Sequence, residues 1–235
     1  MSVILVFLLV IAGIAGWWLS HQGLMSKPWL EHGPAAAFPD TDVTGMPTAK
    51  VGLGVFLAVV GCLFALFASA YFMRMELSDW QPLPIPPLLW LNTGVLVLSS
   101  VALQCAVIAA HRGQIDMVRL GLVTGGLTAL AFLAGQLVVW RDLSASGYFL
   151  EANPANSFFY MITGMHGLHI LGGLVALART ISGAWGRRYQ PERLRLSVEL
   201  CAMYWHFLLF VWFAVFVLLA GWAADFIDIC RQLLT

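Results

Sequence analysis

Six long apolar segments restrict this chain to a membrane-spanning fold. They cover approximately residues 3–19, 51–73, 88–110, 120–140, 158–177 and 196–224. The hydrocarbon core of a bilayer is about 30 Å thick, so a helix needs about 20 apolar residues to cross it. Inside hydrocarbon the backbone must satisfy its own hydrogen bonds, and a helix does so. The sequence therefore predicts an all-α fold, a polytopic membrane helix bundle with about six transmembrane helices.

Composition excludes a water-soluble domain and gives no sign of a nucleic-acid partner. Hydrophobic residues make up 60% of the 235 residues and charged residues only 10%, far from the usual balance of a soluble domain. The formal net charge is +0, so no global field attracts a polyanion. The cysteines are scattered singly, without the short spacing of a metal site or redox pair. They are Cys62, Cys105, Cys201 and Cys230.

The first apolar segment differs from a signal peptide because no basic residue precedes it. We therefore expect residues 1–20 to form an extra N-terminal transmembrane helix. Residues 21–50 are rich in proline and glycine and predict an extended connection. Residues 51–235 then form the main five-helix domain.

The basic residues predict the orientation of the chain. With six spans, both termini and the second and fourth loops lie on the same side of the membrane. That side carries three Lys or Arg residues and the opposite side carries nine. Cytoplasmic loops are enriched in these residues. We therefore expect both termini outside and the Arg-rich segment 179–195 in the cytoplasm.

Polar side chains form stripes within the third and fourth spans. The third span carries Asn92, Thr93, Ser99, Ser100 and Gln104, and the fourth carries Thr124, Thr128 and Gln136. Such groups need hydrogen-bond partners inside the bundle. A transport path is one interpretation, and hydrogen bonding between helices is the favoured one.

Ionisable residues in the last two spans are the candidate site. His166 and His169 lie three residues apart, and Glu199 and His206 lie seven apart on one face of the last helix. A three-histidine metal site is one interpretation, and hydrogen bonding to Glu199, neighbouring helices or lipid headgroups, without a metal, is the favoured one. Trp205 and Trp212 share another face, which predicts packing against a neighbouring helix. Arg187 and Arg188, in the basic loop, are candidates for binding lipid phosphates.

Three segments carry a resemblance to a known family. They are FFYMITGMHGLHILGGL from Phe158 to Leu174, ELCAMYWHFLLFVWF from Glu199 to Phe213, and PLPIPPLLWLNTGVLVLSSVALQ from Pro82 to Gln104. In these segments the chain resembles subunit III of the haem-copper cytochrome c oxidase family. The resemblance covers residues 50–221 and is closest to short bacterial forms, with one extra N-terminal helix.

The resemblance implies a subunit without a redox centre of its own. Haems and copper belong to subunits I and II in that family, and cytochrome c is the electron donor to the complex. Subunit III packs beside subunit I, with subunit II and possible small subunits nearby, holds phospholipids and supports proton uptake. His166, His169, Glu199, Trp205 and His206 would then be structural or lipid-facing. The alternatives are an accessory subunit of a quinol oxidase or nitric oxide reductase, a stand-alone transporter and an intramembrane hydrolase.

Two positions depart from the family pattern. The family usually has a glutamate where this chain has Val60, and often an acid where it has Leu209. An unpaired buried charge is costly. We therefore expect the interior histidines to be neutral and hydrogen-bonded instead of paired with carboxylates.

Overall fold

The computed structural model describes residues 48–186 and 191–222 together with Gly13 and Trp17. Most of these residues lie in five helices. They are α1 (Thr48–Met75), α2 (Leu88–His111), α3 (Ile115–Ala145), α4 (Pro154–Trp185) and α5 (Pro191–Leu219). Each is long and apolar enough to cross a membrane, and no strand occurs in these ranges. The predicted all-α membrane bundle is confirmed for these five helices. The sixth predicted helix, at residues 1–20, lies outside the described residues apart from Gly13 and Trp17.

The helices begin and end at different residues from the apolar segments. Most extend beyond them, as where α3 covers 115–145 instead of the expected 120–140. The last apolar segment was expected to run to about residue 224, which lies outside the described residues, whereas α5 ends at Leu219. Gly221 follows with a φ of 77°, a left-handed conformation that favours glycine and ends helices. Hydropathy alone does not register this turn.

Four of the helices form a closed ring, in the order α2, α3, α4, α5, in which each helix packs against two others. α1 lies outside the ring against α4 and α5. Its side chains Val60, Phe64 and Tyr71 form an apolar cluster with Ile162 of α4 and with α5. Much of the remaining α1 surface is exposed, including Val55 and Leu66. The ring is therefore the core of the bundle, and α1 is attached to one side of it.

Small residues let α2 and α3 approach closely. A Cβ atom at Gly121 would lie 2.8 Å from the backbone oxygen of Ala102. One turn further along α3, the Ser99 hydroxyl donates to the Gly125 carbonyl at 2.7 Å. Close backbone approach at small residues, joined by hydrogen bonds, is the usual basis of helix association in membranes. The α2–α3 pair therefore has little room for larger side chains.

The two ends of the bundle differ in charge. At one end, where α2 and α4 end and α3 and α5 begin, lie five arginines, and we call this the basic end. They are Arg112, Arg119, Arg179, Arg193 and Arg195. Arg119 donates from Nε and Nη2 to the Ala184 carbonyl at 3.1 and 2.9 Å, which satisfies the C-terminus of α4. The described part of the opposite end carries Arg74 and Arg141.

Polar contacts also tie the loops at the opposite end together. The Asn153 side chain accepts a hydrogen bond from the Ala155 amide at 3.2 Å and so caps α4. Its amide nitrogen donates to the Gln81 carbonyl in the loop before α2. The guanidinium of Arg74, in the last turn of α1, bonds both oxygens of the Asp79 carboxylate in that loop, which lowers the pKa of Asp79 below its ordinary value.

Substitution of Gly121 should test the α2–α3 contact. We expect Gly121→Ala to lower the free energy of unfolding by about 1–3 kcal/mol, because the added methyl group meets a backbone oxygen that has little freedom to move. Thermal unfolding in detergent measures this. The control is Gly94→Ala on α2, where an added Cβ meets no atom within 4 Å. Equal midpoints for the two variants would contradict the close approach.

Candidate functional site

His166 lies at the centre of the bundle. Its side chain is 0% exposed, and its ring centroid lies 5.1 Å from Trp212 on α5, 5.9 Å from Phe132 on α3 and 6.2 Å from Phe64 on α1. Neither ring nitrogen has a hydrogen-bond partner among the residues that the structure describes. The expectation of a hydrogen-bonded histidine is therefore not met at His166 within these ranges, because aromatic rings occupy the surrounding space.

Trp212, the ring closest to His166, connects this centre to α2. Its Nε1 donates to the Thr93 hydroxyl at 2.9 Å, and that hydroxyl donates to the Leu89 carbonyl at 2.9 Å. Trp205 and Trp212 are both buried, 1% and 0% exposed. Their predicted packing against neighbouring helices is confirmed. The polar groups here join helices to one another, which agrees with the favoured interpretation of the polar stripes.

His169 lies one turn after His166 but in different surroundings. Its Nδ1 lies 2.8 Å from the Met165 carbonyl of its own helix, and its backbone carbonyl accepts a hydrogen bond from the Tyr204 hydroxyl at 2.7 Å. Both imidazole rings lie beside Phe64, but only His169 has a hydrogen-bond partner among the described residues. Within residues 48–186 and 191–222, no group of three or more His, Cys, Asp or Glu side chains is placed to hold a metal ion.

An apolar groove of about 370 Å³ opens beside His169, between α1, α4 and α5. Its walls are Leu53, Phe56, Leu168, His169, Gly172, Gly173, Ala176, Leu200, Cys201, Tyr204 and Trp205. At its base Gly173 has no room for a larger side chain, since a Cβ there would lie 2.5 Å from the Tyr204 ring. The groove therefore depends on glycine to bring α4 close to the aromatic side chains of α5.

Glu199 and His206 lie where α5 contacts α2, and each has its own partners. Oε1 of Glu199 lies 3.0 Å from His111 Nε2 and 3.2 Å from Arg195 Nε. These three residues are at the basic end.

His206 lies deeper, between two polar residues of α2. Its Nδ1 is hydrogen-bonded to the Ser100 hydroxyl, and its Nε2 lies 2.9 Å from Gln104 Oε1. We call the line formed by His111, Gln104 and Ser100 on α2 with Arg195, Glu199 and His206 on α5 the polar seam.

The predicted site residues are thus divided among three places. His166 is in the core, His169 and Trp205 line the groove, and Glu199 and His206 belong to the polar seam. Arg187 and Arg188 lie outside the described residues. Sequence reasoning did not select His111 and so missed its contact with Glu199. A signal existed, because Gln104 and His111 are seven residues apart, as are Glu199 and His206.

Comparison with known proteins identifies the family. The family model described as cytochrome c oxidase subunit III matches residues 46–224, which includes all five helices. The chain belongs to this family. It is 34% identical over 175 residues to the probable cytochrome c oxidase subunit 3 of Mycobacterium tuberculosis, with 72% of this chain and 86% of the relative covered. The cytochrome c oxidase subunit 3 of Synechocystis is 32% identical over 187 residues, with 74% and 76% covered.

Membership of the subunit III family confirms the resemblance drawn from the sequence motifs. The family is part of an oxidoreductase complex of aerobic respiration, and the chain is a multi-pass membrane protein. The structure also shows what surrounds the two departures from the family pattern. Val60 is 3% exposed and packs with Phe64 and Ile162, and Leu209 packs against the main core. Apolar side chains therefore fill the space at both positions.

A substitution at His166 should test whether its nitrogens matter to stability. We expect His166→Leu to change the free energy of unfolding by less than about 1 kcal/mol, because replacing an unpartnered polar group by an apolar one of similar size is nearly neutral. Thr93→Val serves for comparison, since it leaves the buried Trp212 N–H without its acceptor and should cost about 1–3 kcal/mol. Thermal unfolding in detergent measures both. An equal loss in the two variants would mean that His166 is hydrogen-bonded after all.

Proposed function

We propose that this chain is the non-catalytic subunit III of a proton-pumping haem-copper terminal oxidase that reduces oxygen to water. The family match over residues 46–224 is the observation that carries the proposal. In this role the chain packs directly against subunit I, stabilises it and supports its proton uptake. Haems and copper then reside in subunits I and II, and no cofactor is bound by this chain.

The surroundings of the candidate residues support a structural role. Trp212 uses its N–H to bond α2, Tyr204 bonds the backbone of α4, and His206 joins α5 to α2. Each of these contacts connects two helices. We therefore assign His166, His169, Trp205, Glu199 and His206 to the assembly of the bundle or, beside the groove, to lipid contact, without a part in redox chemistry.

Cytochrome c is the electron donor that we propose for the complex. The relatives in Mycobacterium and Synechocystis are named as cytochrome c oxidase subunits, which favours it over the quinol oxidase and nitric oxide reductase alternatives. A stand-alone transporter has no comparable support.

The distribution of charge supports the proposed orientation. Five described arginines lie at the basic end and two at the opposite end, as expected if the basic end faces the cytoplasm. We propose that the chain lies in a bacterial plasma membrane with segment 179–195 in the cytoplasm and both termini outside. Arg187 and Arg188 would then lie near anionic lipid headgroups.

The groove beside His169 is the proposed site of a structural phospholipid. Its walls are almost entirely apolar and come from three helices, so an acyl chain there would contact α1, α4 and α5 together. A second groove of about 220 Å³ lies between α1 and α5 and includes Gly61 and Phe207. Lipid chains in these grooves would support α1, which has few contacts with the ring.

Purification should test the proposed function. The tagged chain, taken from its own membranes in mild detergent, should co-migrate with other oxidase subunits and with a haem signal in the reduced-minus-oxidised spectrum. Native mass spectrometry identifies the subunits, and a dicopper centre among them establishes cytochrome c as the donor. A chain that migrates without haem and transports a solute in vesicles would contradict the proposal.

A groove-filling variant should test the lipid site. Gly172 lines the groove, and an added Cβ there meets no atom within 4 Å, so Gly172→Leu should occupy the groove without a clash. We expect the purified variant to carry at least one phospholipid fewer per chain. The matched control on the same helix is Gly183→Leu, which also has open space at its Cβ. Unchanged lipid content measured by mass spectrometry would contradict the site.

A further inference from the structure

We infer that the polar seam is the surface on which a transmembrane helix of a neighbouring oxidase subunit docks, with a hydrogen-bond acceptor at the depth of Gln104 and His206. The inference rests on the proposed function and assigns one face of the bundle to the contact. Two observations support it. Polar side chains of the seam are exposed within the membrane span, and some of their hydrogen-bonding atoms have no described partner.

Gln104 and His206 are exposed well inside the membrane span. Gln104 lies seven residues before the end of α2 at His111, about 10 Å along the helix axis. His206 lies near the middle of α5, which covers Pro191–Leu219. Both side chains are exposed on the bundle surface. In hydrocarbon such groups are costly unless they face protein or water.

The lipid-facing surfaces of the neighbouring helices have a different character. Every exposed residue of α3 between Met117 and Val138 is apolar. The exposed residues of α4 between Met161 and Ala178 are apolar or glycine. These surfaces match acyl chains, whereas the polar seam does not. The contrast indicates that protein covers the seam.

The hydrogen bonds of the seam have one consistent direction. Gln104 Oε1 can only accept, so Nε2 of His206 carries the proton, and in the neutral imidazole Nδ1 then accepts from the Ser100 hydroxyl. The Nε2–H group donates to Gln104 Oε1 at 2.9 Å. The Gln104 oxygen is thus occupied, and its amide group still carries two N–H donors. A covering helix is therefore expected to present a carbonyl, hydroxyl or carboxylate oxygen at this depth.

The seam continues to the basic end. His111 and Glu199 lie seven residues from Gln104 and His206, on the same faces of α2 and α5, and they contact each other at 3.0 Å. Arg195 adds a positive group at 3.2 Å from the same carboxylate. The partner helix would therefore meet charged groups at the membrane surface and a neutral donor within the membrane. Such an arrangement fixes the depth at which two helices pair.

Photo-crosslinking in the intact oxidase complex tests the inference. Benzoylphenylalanine is placed at Ile108 or Met203, which are exposed beside the seam, or at Leu127 on α3 as the control. We expect adducts with another oxidase subunit from positions 108 and 203, and none from 127. Adducts with residues 1–47 of the same chain, with a second copy, or with lipid alone would overturn the inference. So would subunit adducts from position 127 only.

A variant gives a second measurement. Gln104→Leu removes the two N–H donors of the amide and should lower the ratio of oxidase-bound to free chain at least threefold. That is the effect of one interhelical hydrogen bond worth about 0.6 kcal/mol or more. Leu127→Ala on α3 is the control and should leave the ratio unchanged. If the purified complex carries haem and the Gln104→Leu chain binds it as well as the unsubstituted chain does, the inference is overturned. Absence of haem and partner subunits from the unsubstituted chain would instead overturn the proposed function.

Discussion

The absence of water inside a bilayer is the constraint on which this structure depends. Backbone groups satisfy each other within α-helices, so the helices form first and their side chains decide how they associate. Apolar side chains gain little from contact with each other over contact with lipid, and association relies on close packing and hydrogen bonds between helices. The ring of α2 to α5 uses both, with glycines between α2 and α3 and hydrogen bonds from α5 to α2 and α4.

This constraint also explains why two histidines on one helix differ so much. His166 is surrounded by aromatic rings from three other helices, and an imidazole there contributes shape more than hydrogen bonds. His169 is turned toward the groove and bonds its own helix. An ionisable residue within a membrane usually suggests transport or catalysis. Here the surroundings of His166 are aromatic rings, and Val60 is buried among apolar side chains.

Much of the fold could be predicted from the sequence, because the length of an apolar segment determines whether it crosses the membrane. The five helices and the burial of Trp205 and Trp212 followed from length and periodicity. The partners of the polar residues did not. That His111 contacts Glu199, and Gln104 contacts His206, depends on the packing of α5 beside α2 and on their relative depth. The matching seven-residue spacings on the two helices are compatible with these contacts but do not determine them. The end of α5 at Leu219 depends on a glycine turn within an apolar segment.

The hydrogen bond between Thr93 and Trp212 joins residues 119 positions apart, and this separation has a consequence for synthesis. The ribosome completes α2, α3 and α4 before it makes α5. Until α5 enters the membrane, Ser100 and Gln104 of α2 lack their partner His206, and the ring of His166 lacks the neighbouring ring of Trp212. Closure of the ring is therefore a late event in biogenesis, and the earlier helices must remain together as an open intermediate within the membrane until the last helix arrives.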